Sequence, residues 1–200
     1  VDLREAIGNG LSVQPIPNMV NHETNELFFD SLEIPAENLI GEEGMGFRYI
    51  LDGLNAERTP IAAECIGDGY WFIDKASSYA KDRVVFDRPI GQNQGIQFPL
   101  VELQTQCEML RALIHKTAWL MDTVGNKVAK AEIAMIKVVA PNVALKVIDW
   151  AIQAHGGGGV SQDFPLAQRW TWERALRLAD GPDEVHRNAI AKLELARHMI

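Results

Sequence analysis

Cysteine is scarce in this chain, with only Cys65 and Cys107 among 200 residues. Both sit among apolar residues in helical patterns, and two thiols do not build a disulfide framework. No CxxC or Cys/His pair gives zinc its usual spacing. We read both cysteines as buried, reduced thiols. Long apolar runs are missing as well: no stretch approaches the roughly 20 residues that span a bilayer. Basic charge is in deficit, 19 Lys and Arg against 27 Asp and Glu, for a net charge of −8. A nucleic-acid groove or an anionic-membrane surface needs clustered Lys and Arg, and no such cluster occurs. Repeats, low-complexity linkers and a signal-peptide pattern are also absent. The first residue is Val1, so we expect a processed or partial chain. What is present is ordinary globular composition, 47% hydrophobic and 23% charged, which argues against disorder. The length suits one domain with a sizeable core plus a fragment of another.

Two textures meet near residue 40. Leu11–Ile16 and Glu26–Ile34 carry strand signals, with Leu27, Phe29 and Leu32 as apolar positions and Pro15, Pro17 and Pro35 fitting only strand edges or ends. Two strands do not make a stable sheet alone, so the rest of that sheet is expected elsewhere. After Gly41-Glu42-Glu43-Gly44 the pattern turns helical. A short helix is expected over Gly46–Leu54, and Thr59-Pro60 reads as a restart, a cap followed by a proline suited to the first turn. Ala62, Ile66, Ile73, Ala76 and Ala80 then mark an apolar stripe. A helix after Gln94 carries Leu103, Cys107, Leu110, Ile114 and Met121 at the spacing of a bundle seam. Gly125-Asn126 ends it. A third runs from about Lys130 to Ala154, with a kink expected at Pro141. Two more are expected near Leu166–Leu178 and Asp183–His198. The fold class is therefore mainly α, an antiparallel four-helix-type bundle (41–200) with extra C-terminal helices, after a short β fragment (1–40).

Four features can carry chemistry. Gly156 to Gly159 follow a helix and Gln153, and open the backbone to close approach by a ligand such as a phosphate. This is no Rossmann fingerprint, because neither the preceding strand nor the GxGxxG spacing is there. Asp180-Gly181-Pro182-Asp183-Glu184 reads locally as a helix start, with one carboxylate available as a general base. Glu57-Arg58 lies in the expected break between the first two helices. Arg83-Val84-Val85-Phe86, followed by Pro89-Ile90 and Gln94, reads locally as a helix end and loop. Its arginine and aromatic ring are also suited to gripping a dinucleotide. His155 has no second ligand spaced for a metal and reads as structural. No Glu-x-x-His pair supports a di-iron bundle.

In order and spacing these segments resemble the acyl-CoA dehydrogenase family. "FFDSLEIPAENLIGEEGMGFRYILDGLNAER" is similar to its junction of β-domain and C-terminal bundle, and "YAKDRVVFDRPIGQNQGIQF" to its second signature. "AIQAHGGGGVSQDFPLAQRW" resembles its glycine turn, and "LADGPDEVHRNAIAKLEL" stands in place of its catalytic loop and last helix. The resemblance covers essentially the whole chain. It implies that residues 1–40 end a β-barrel-like middle domain and that residues 41–200 form the helical bundle.

The resemblance further implies an FAD-dependent oxidoreductase of fatty-acid β-oxidation. A carboxylate would take the α-proton of an acyl-CoA thioester while the β-hydrogen leaves as hydride to the flavin, giving a trans-2-enoyl-CoA. The family's usual base is the Glu of a Glu-Gly-Thr segment. Here Asp180 matches it, followed by Gly181 and by Pro182 in place of Thr. Aspartate is one methylene shorter, which retracts the carboxylate by about 1.5 Å. Relatives resembling nitroalkane oxidase or 4-hydroxyacyl-CoA dehydrogenases also use Asp. A second family solution places the base where Glu57 stands, so Asp180 and Glu57 are both candidates. Arg58 and Gly181 match positions near the substrate. Arg83, Phe86 and Gln94 match FAD contacts, Gln153, Gly156 and Gly157 contacts to the FAD of an adjacent subunit, and Glu184 a position near the adenosine. The implied partners are acyl-CoA, an electron-transfer flavoprotein and further copies of the chain, as a homodimer or homotetramer. The implied location is intracellular: cytoplasmic in a bacterium, the mitochondrial matrix in a eukaryote. The competing readings are a flavin oxidase of the same fold and a non-catalytic helical assembly or binding module.

Overall fold

The computed structural model describes residues 1–20 and 24–198. It divides into two compact units, Val1–Asp52 and Gly53 onward. In the first, a short helix α1 (Leu3–Ala6), capped by the Asp2 side chain, precedes strands β1 (Leu11–Pro15) and β2 (Asn25–Phe29). The strands pair antiparallel, Leu11 opposite Phe29 and Pro15 opposite Asn25. β2 stops short of the expected Ile34. Asp30 still donates its amide to Gly10, but Ser31 takes a left-handed φ of 52°, which turns the chain out of the ladder. The ribbon leaves Leu27, Phe28 and Phe29 exposed.

The second unit is built on α2 (Gly46–Asp82), α3 (Gln94–Val124), α4 (Lys130–His155), α5 (Leu166–Leu176) and α6 (Asp183–Ala196). A two-rung hairpin, β3 (Val84–Val85) and β4 (Arg88–Pro89), joins α2 to α3. It stands where a plain loop was expected. Partner pairs give the helix directions. Along α2, Thr59 meets Met121, Gly69 approaches Cys107 and Tyr70 bonds Glu108, so α3 runs antiparallel to it. Arg169 pairs with Asp68, and Cys65 with Glu173, so α5 is antiparallel to α2 as well. Gly69 permits the close approach to α3: a Cβ there would stand 3.1 Å from the Cys107 sulfur.

Four of the five expected α3 seam positions are buried, Leu103, Cys107, Leu110 and Ile114, and the fifth, Met121, is half-buried. The seam packs on Ala62, Cys65, Phe72, Ile73 and Ala76 of α2 and on Ile136, Ala140, Val147 and Ile148 of α4. The expected break at Glu57–Arg58 does not occur. Residues 46–82 form one helix, with Pro60 inside it. The missing proline N–H is without consequence in a first turn but removes a hydrogen bond in a helix interior, so packing must offset that cost here. Thr59 does not cap: its hydroxyl faces the Met121 sulfur at 3.2 Å. Ile61, Ala62 and Cys65 are buried directly after the proline, and this packing carries the helix through. Pro141 likewise lies inside α4.

One polar cluster is buried between α2 and α5. Glu173 is fully buried; the Cys65 thiol donates to its Oε2 at 3.2 Å, and its Oε1 has no hydrogen-bond partner among the described residues. Arg169 is drawn instead to Asp68 and to Glu64, the latter at 2.6 Å, and stands 3.7 Å from Glu173. Burial raises the Glu173 carboxyl to about 8, and its contact with Asp68 acts in the same direction. The folded chain thus holds a proton that the unfolded chain gives up near pH 4.5. Stability contributed by this site is therefore present at low pH and falls as pH rises from about 4.5 towards 8. Replacing Glu173 with Gln removes the titration. We expect E173Q to melt on the order of a few degrees above the unsubstituted protein at pH 9, with the gap closing towards pH 5. Thermal unfolding across that range is the measurement, and a gap independent of pH contradicts the assignment.

Candidate functional site

The connection between α5 and α6 is short and strongly constrained. Asp180 takes a left-handed φ of 53° and Gly181 a φ of 103°. Left-handed backbone is costly for a residue with a Cβ, and it persists only where the surroundings impose it. Here they do. The Asp180 carbonyl oxygen accepts from Arg58 through Nε at 3.3 Å and Nη2 at 3.0 Å, and from His186 Nε2 at 3.1 Å. A carbonyl can only accept, so the His186 Nε2 carries the hydrogen. Arg58 is itself oriented by a bond from Nη1 to Asn55 Oδ1 at 2.7 Å. Lys137 reaches the same connection from α4, donating to Leu176 O at 2.8 Å and Gly181 O at 3.3 Å.

The start of α6 is secured separately. Asp183 accepts from Arg177 Nη2 at 2.7 Å and from Asn142 at 3.1 Å. Burial pushes its carboxyl up, but the bonds from Asn142 and Arg177 outweigh this and hold it below the usual range. Burial lowers both the Arg58 guanidinium and the His186 imidazole from their ordinary values. The backbone bond to Asp180 opposes the shift at His186.

The Oδ2 of Asp180 is buried and has no hydrogen-bond partner among the described residues, as is true of Asp183 Oδ1, but Asp183 is held through its other oxygen while neither side-chain oxygen of Asp180 is bonded. A buried oxygen of that kind is expensive unless something else engages it. Glu57 occupies the neighbouring helical position to Arg58 and is exposed. The two candidate carboxylates thus lie at the same end of the bundle, one enclosed and one open. Glu184 is exposed on the first turn of α6, also at this end.

The remaining candidate residues gather at the opposite end. Tyr79, near the end of α2, stacks on His155, the last residue of α4, with ring centroids 4.1 Å apart. His155 is buried and bonds Ala151 O through Nδ1 at 2.7 Å. The β3–β4 hairpin starts just beyond Tyr79, and Gly156 and Gly157 just beyond His155. Gln94, opening the antiparallel α3, lies at this end too. Arg83 is exposed, with no side-chain hydrogen bond or ion pair among the described residues. Phe86, at the hairpin turn with a φ of 53°, is 92% exposed. Gln94, Gln153, Gly156 and Gly157 are exposed, and nothing lies within 4 Å of where a Cβ would stand on either glycine. The Gly156 amide is already bonded to Gln153 O, within a 3-10 turn over Gly156–Val160, but an unpaired guanidinium, an exposed aromatic face and uncrowded glycines fit the pyrophosphate and rings of a dinucleotide.

The two ends are far apart. From Arg58 to Tyr79 the helix α2 covers about 30 Å at a rise of about 1.5 Å per residue. Among the described residues no group of His, Cys, Asp and Glu is placed to hold a metal ion, and no helix is long and apolar enough to cross a membrane.

Sequence reasoning missed Lys137, His186 and Asn55. Lys137 was readable as the one charge in the apolar run Ile133–Ala140, and His186 as a histidine one turn into a helix whose start was already singled out. Arg58, expected near substrate, spends its donors on Asp180 O and Asn55.

Residues 44–195 match the family described as "Acyl-CoA dehydrogenase, C-terminal domain". The chain is 40% identical, over 176 residues, to the protein named probable acyl-CoA dehydrogenase FadE2 of Mycobacterium tuberculosis, covering 88% of this chain and 43% of that protein. It spans less than half the length of this relative. Its structure is similar to butyryl-CoA dehydrogenase from Megasphaera elsdenii, with a TM-score of 0.83 and 29% identity, covering 94% of this chain and 49% of that one. It is also similar to a structure of PigA with FAD and proline, with a TM-score of 0.86 and 26% identity, over 94% and 50% of the two chains.

The Asp180–Gly181 turn yields a prediction of its own. A Cβ on Gly181 would stand 3.0 Å from His186 Nε2, on a backbone at φ 103°. Gly181→Ala is expected to destabilise the fold by on the order of 1–3 kcal/mol. Gly157→Ala, with open space around it, is expected to cost under about 1 kcal/mol. Urea unfolding of the two variants side by side checks this.

Proposed function

We propose, from the premise that this chain belongs to the acyl-CoA dehydrogenase family, that it is the C-terminal portion of an FAD-dependent enzyme that desaturates acyl-CoA thioesters, with Asp180 as the base. One observation carries the assignment: a buried, unpartnered carboxylate oxygen on a residue whose backbone is held in a left-handed turn by Arg58 and His186. A base must sit within hydrogen-bond reach of its proton in a fixed geometry, and an oxygen already satisfied by the protein would have to break a bond first. The Asp180 carboxylate takes the α-proton and holds it on Oδ2. Arg58 and His186 keep the carbonyl behind it fixed while the side chain works. FAD, when bound, accepts the β-hydride and so makes removal of the α-proton productive. Arg83 would hold the pyrophosphate, Phe86 and Gln94 would flank the cofactor, and Gln153, Gly156 and Gly157 would close over it.

Those residues lie about 30 Å from Asp180 along α2, too far to share one flavin ring with it. The family pattern accounts for this if each chain contributes its Arg83 end to the cofactor of a neighbouring copy. We therefore propose a homodimer or homotetramer. Electrons would leave to an electron-transfer flavoprotein. A second reading, a flavin oxidase acting on a substrate other than a CoA thioester, is favoured by Asp standing where the family pattern has Glu.

The experiment uses the full-length, FAD-loaded protein, mixed anaerobically with a panel of acyl-CoAs while flavin absorbance is followed. The unsubstituted protein is expected to bleach. Asp180→Asn is expected to slow bleaching by about 100- to 10,000-fold with FAD retained. If Asp180→Asn bleaches at full rate and Glu57→Gln does not, the base is Glu57. If no acyl-CoA bleaches the flavin, and oxygen consumption with hydrogen peroxide release appears on another substrate class, the oxidase reading replaces this one.

A further inference from the structure

Lys137 is fully buried, and no carboxylate among the described residues forms an ion pair with it. Instead its ammonium bridges two backbone oxygens, Leu176 O at 2.8 Å and Gly181 O at 3.3 Å. Leu176 is the last residue of α5 and Gly181 directly follows Asp180. The two bonds thus fasten both sides of the segment that carries the carboxylate. Arg58 from α2 and His186 from α6 hold the carbonyl of Asp180 itself. Lys137 comes from α4, so three separate helices fix one turn.

Burying an ammonium is costly, and two carbonyl bonds offset only part of that cost. An unbranched apolar side chain of similar length, such as Met, carries no such cost. For stability alone, a lysine is a poor choice here. Its gain lies in geometry: it sets the distance between the end of α5 and the turn at Gly181. Burial lowers the Lys137 ammonium, while the charges of Asp183 and Asp180 act to raise it and that of Arg58 to lower it further.

We propose that Lys137 is a positioning residue, which acts through the carbonyls of Leu176 and Gly181 to aim the Asp180 carboxylate; this rests on the reading of Asp180 as the base. It touches neither substrate nor cofactor in that role. A displacement near 1 Å at a reacting atom costs on the order of 100-fold in rate.

The test measures anaerobic flavin reduction by acyl-CoA in the full-length, FAD-loaded protein, with rates expressed per bound flavin. Lys137→Met is expected to reduce its flavin about 10- to 100-fold more slowly. The substrate concentration for half-maximal rate should stay within about threefold, and FAD content should not change. Lys137→Arg, which keeps a charge and several donors, is expected to recover part of the lost rate. A purely structural lysine would not separate rate from binding in this way. If Lys137→Met reduces flavin at the unsubstituted rate, the proposal is overturned. It is equally overturned if both variants lose FAD and cooperative melting together. Asp180→Asn is run in parallel. If Asp180→Asn abolishes reduction while Lys137→Met does not slow it, Asp180 remains the base and Lys137 has no part in aiming it. If Asp180→Asn reduces flavin at full rate, the base assignment itself falls, and the role of Lys137 with it.

Discussion

Basic side chains from three helices end on the carbonyl oxygens of one short connection, and the candidate site depends on that convergence. Arg58, Lys137 and His186 donate to the carbonyls of residues 176, 180 and 181. A loop of this length would ordinarily bond water or relax. Here its acceptors are consumed by side chains that the bundle core holds in place. The left-handed φ of Asp180 follows from this. The donors nearby are thereby engaged, which leaves the buried Oδ2 of Asp180 without a partner among the described residues. The apolar packing of α2, α3 and α4 supplies rigidity, and the polar bonds at its end convert rigidity into the position of one oxygen.

The helices were legible in the sequence where one face had one job. Leu103, Cys107, Leu110 and Ile114 recur at helical spacing because α3 buries a single seam, and the structure buries all four. Thr59-Pro60 was misread for a physical reason. A proline in a first turn and a proline in a helix interior carry the same local signal, and the packing of Ile61, Ala62 and Cys65 decides between them. That packing is non-local. The hairpin at 84–89 was hidden in the same way, since two residues per strand are too few for any alternation to register. At the candidate site, the Asp-Gly-Pro turn was readable as a helix start. Its supports stood out only as single residues, not as partners of the turn. Lys137 lies far along the chain from Gly181, and a lone lysine in an apolar helix usually carries its charge out to water.

The separation of the two ends bears on assembly more than any surface patch does. One chain presents a buried carboxylate oxygen at one end of α2, and exposed Arg83, Phe86 and uncrowded glycines at the other. About 30 Å of helix lies between them. On the proposed reading, the two ends serve one reaction if copies of the scaffold meet, each lending one end to its neighbour, and the bundle would then be a spacer as well as a support.

The shorter arm of Asp180 sharpens the same point. Relative to glutamate it withdraws the carboxylate by about 1.5 Å. In a mobile loop the backbone could advance to compensate. This loop has little freedom to do so: its carbonyls are tied to three helices, and Pro182 follows at φ −64° as the entry to α6. Its ring holds that angle. If Asp180 is the base, as proposed, the compensation would lie outside the turn, in a substrate that comes closer to this carboxylate than it would to a glutamate. A fixed turn with a short arm would then select for a substrate whose acidic carbon sits deeper. Selectivity in this site would then originate in the backbone bonds of Arg58, Lys137 and His186 as much as in the groups that line the pocket.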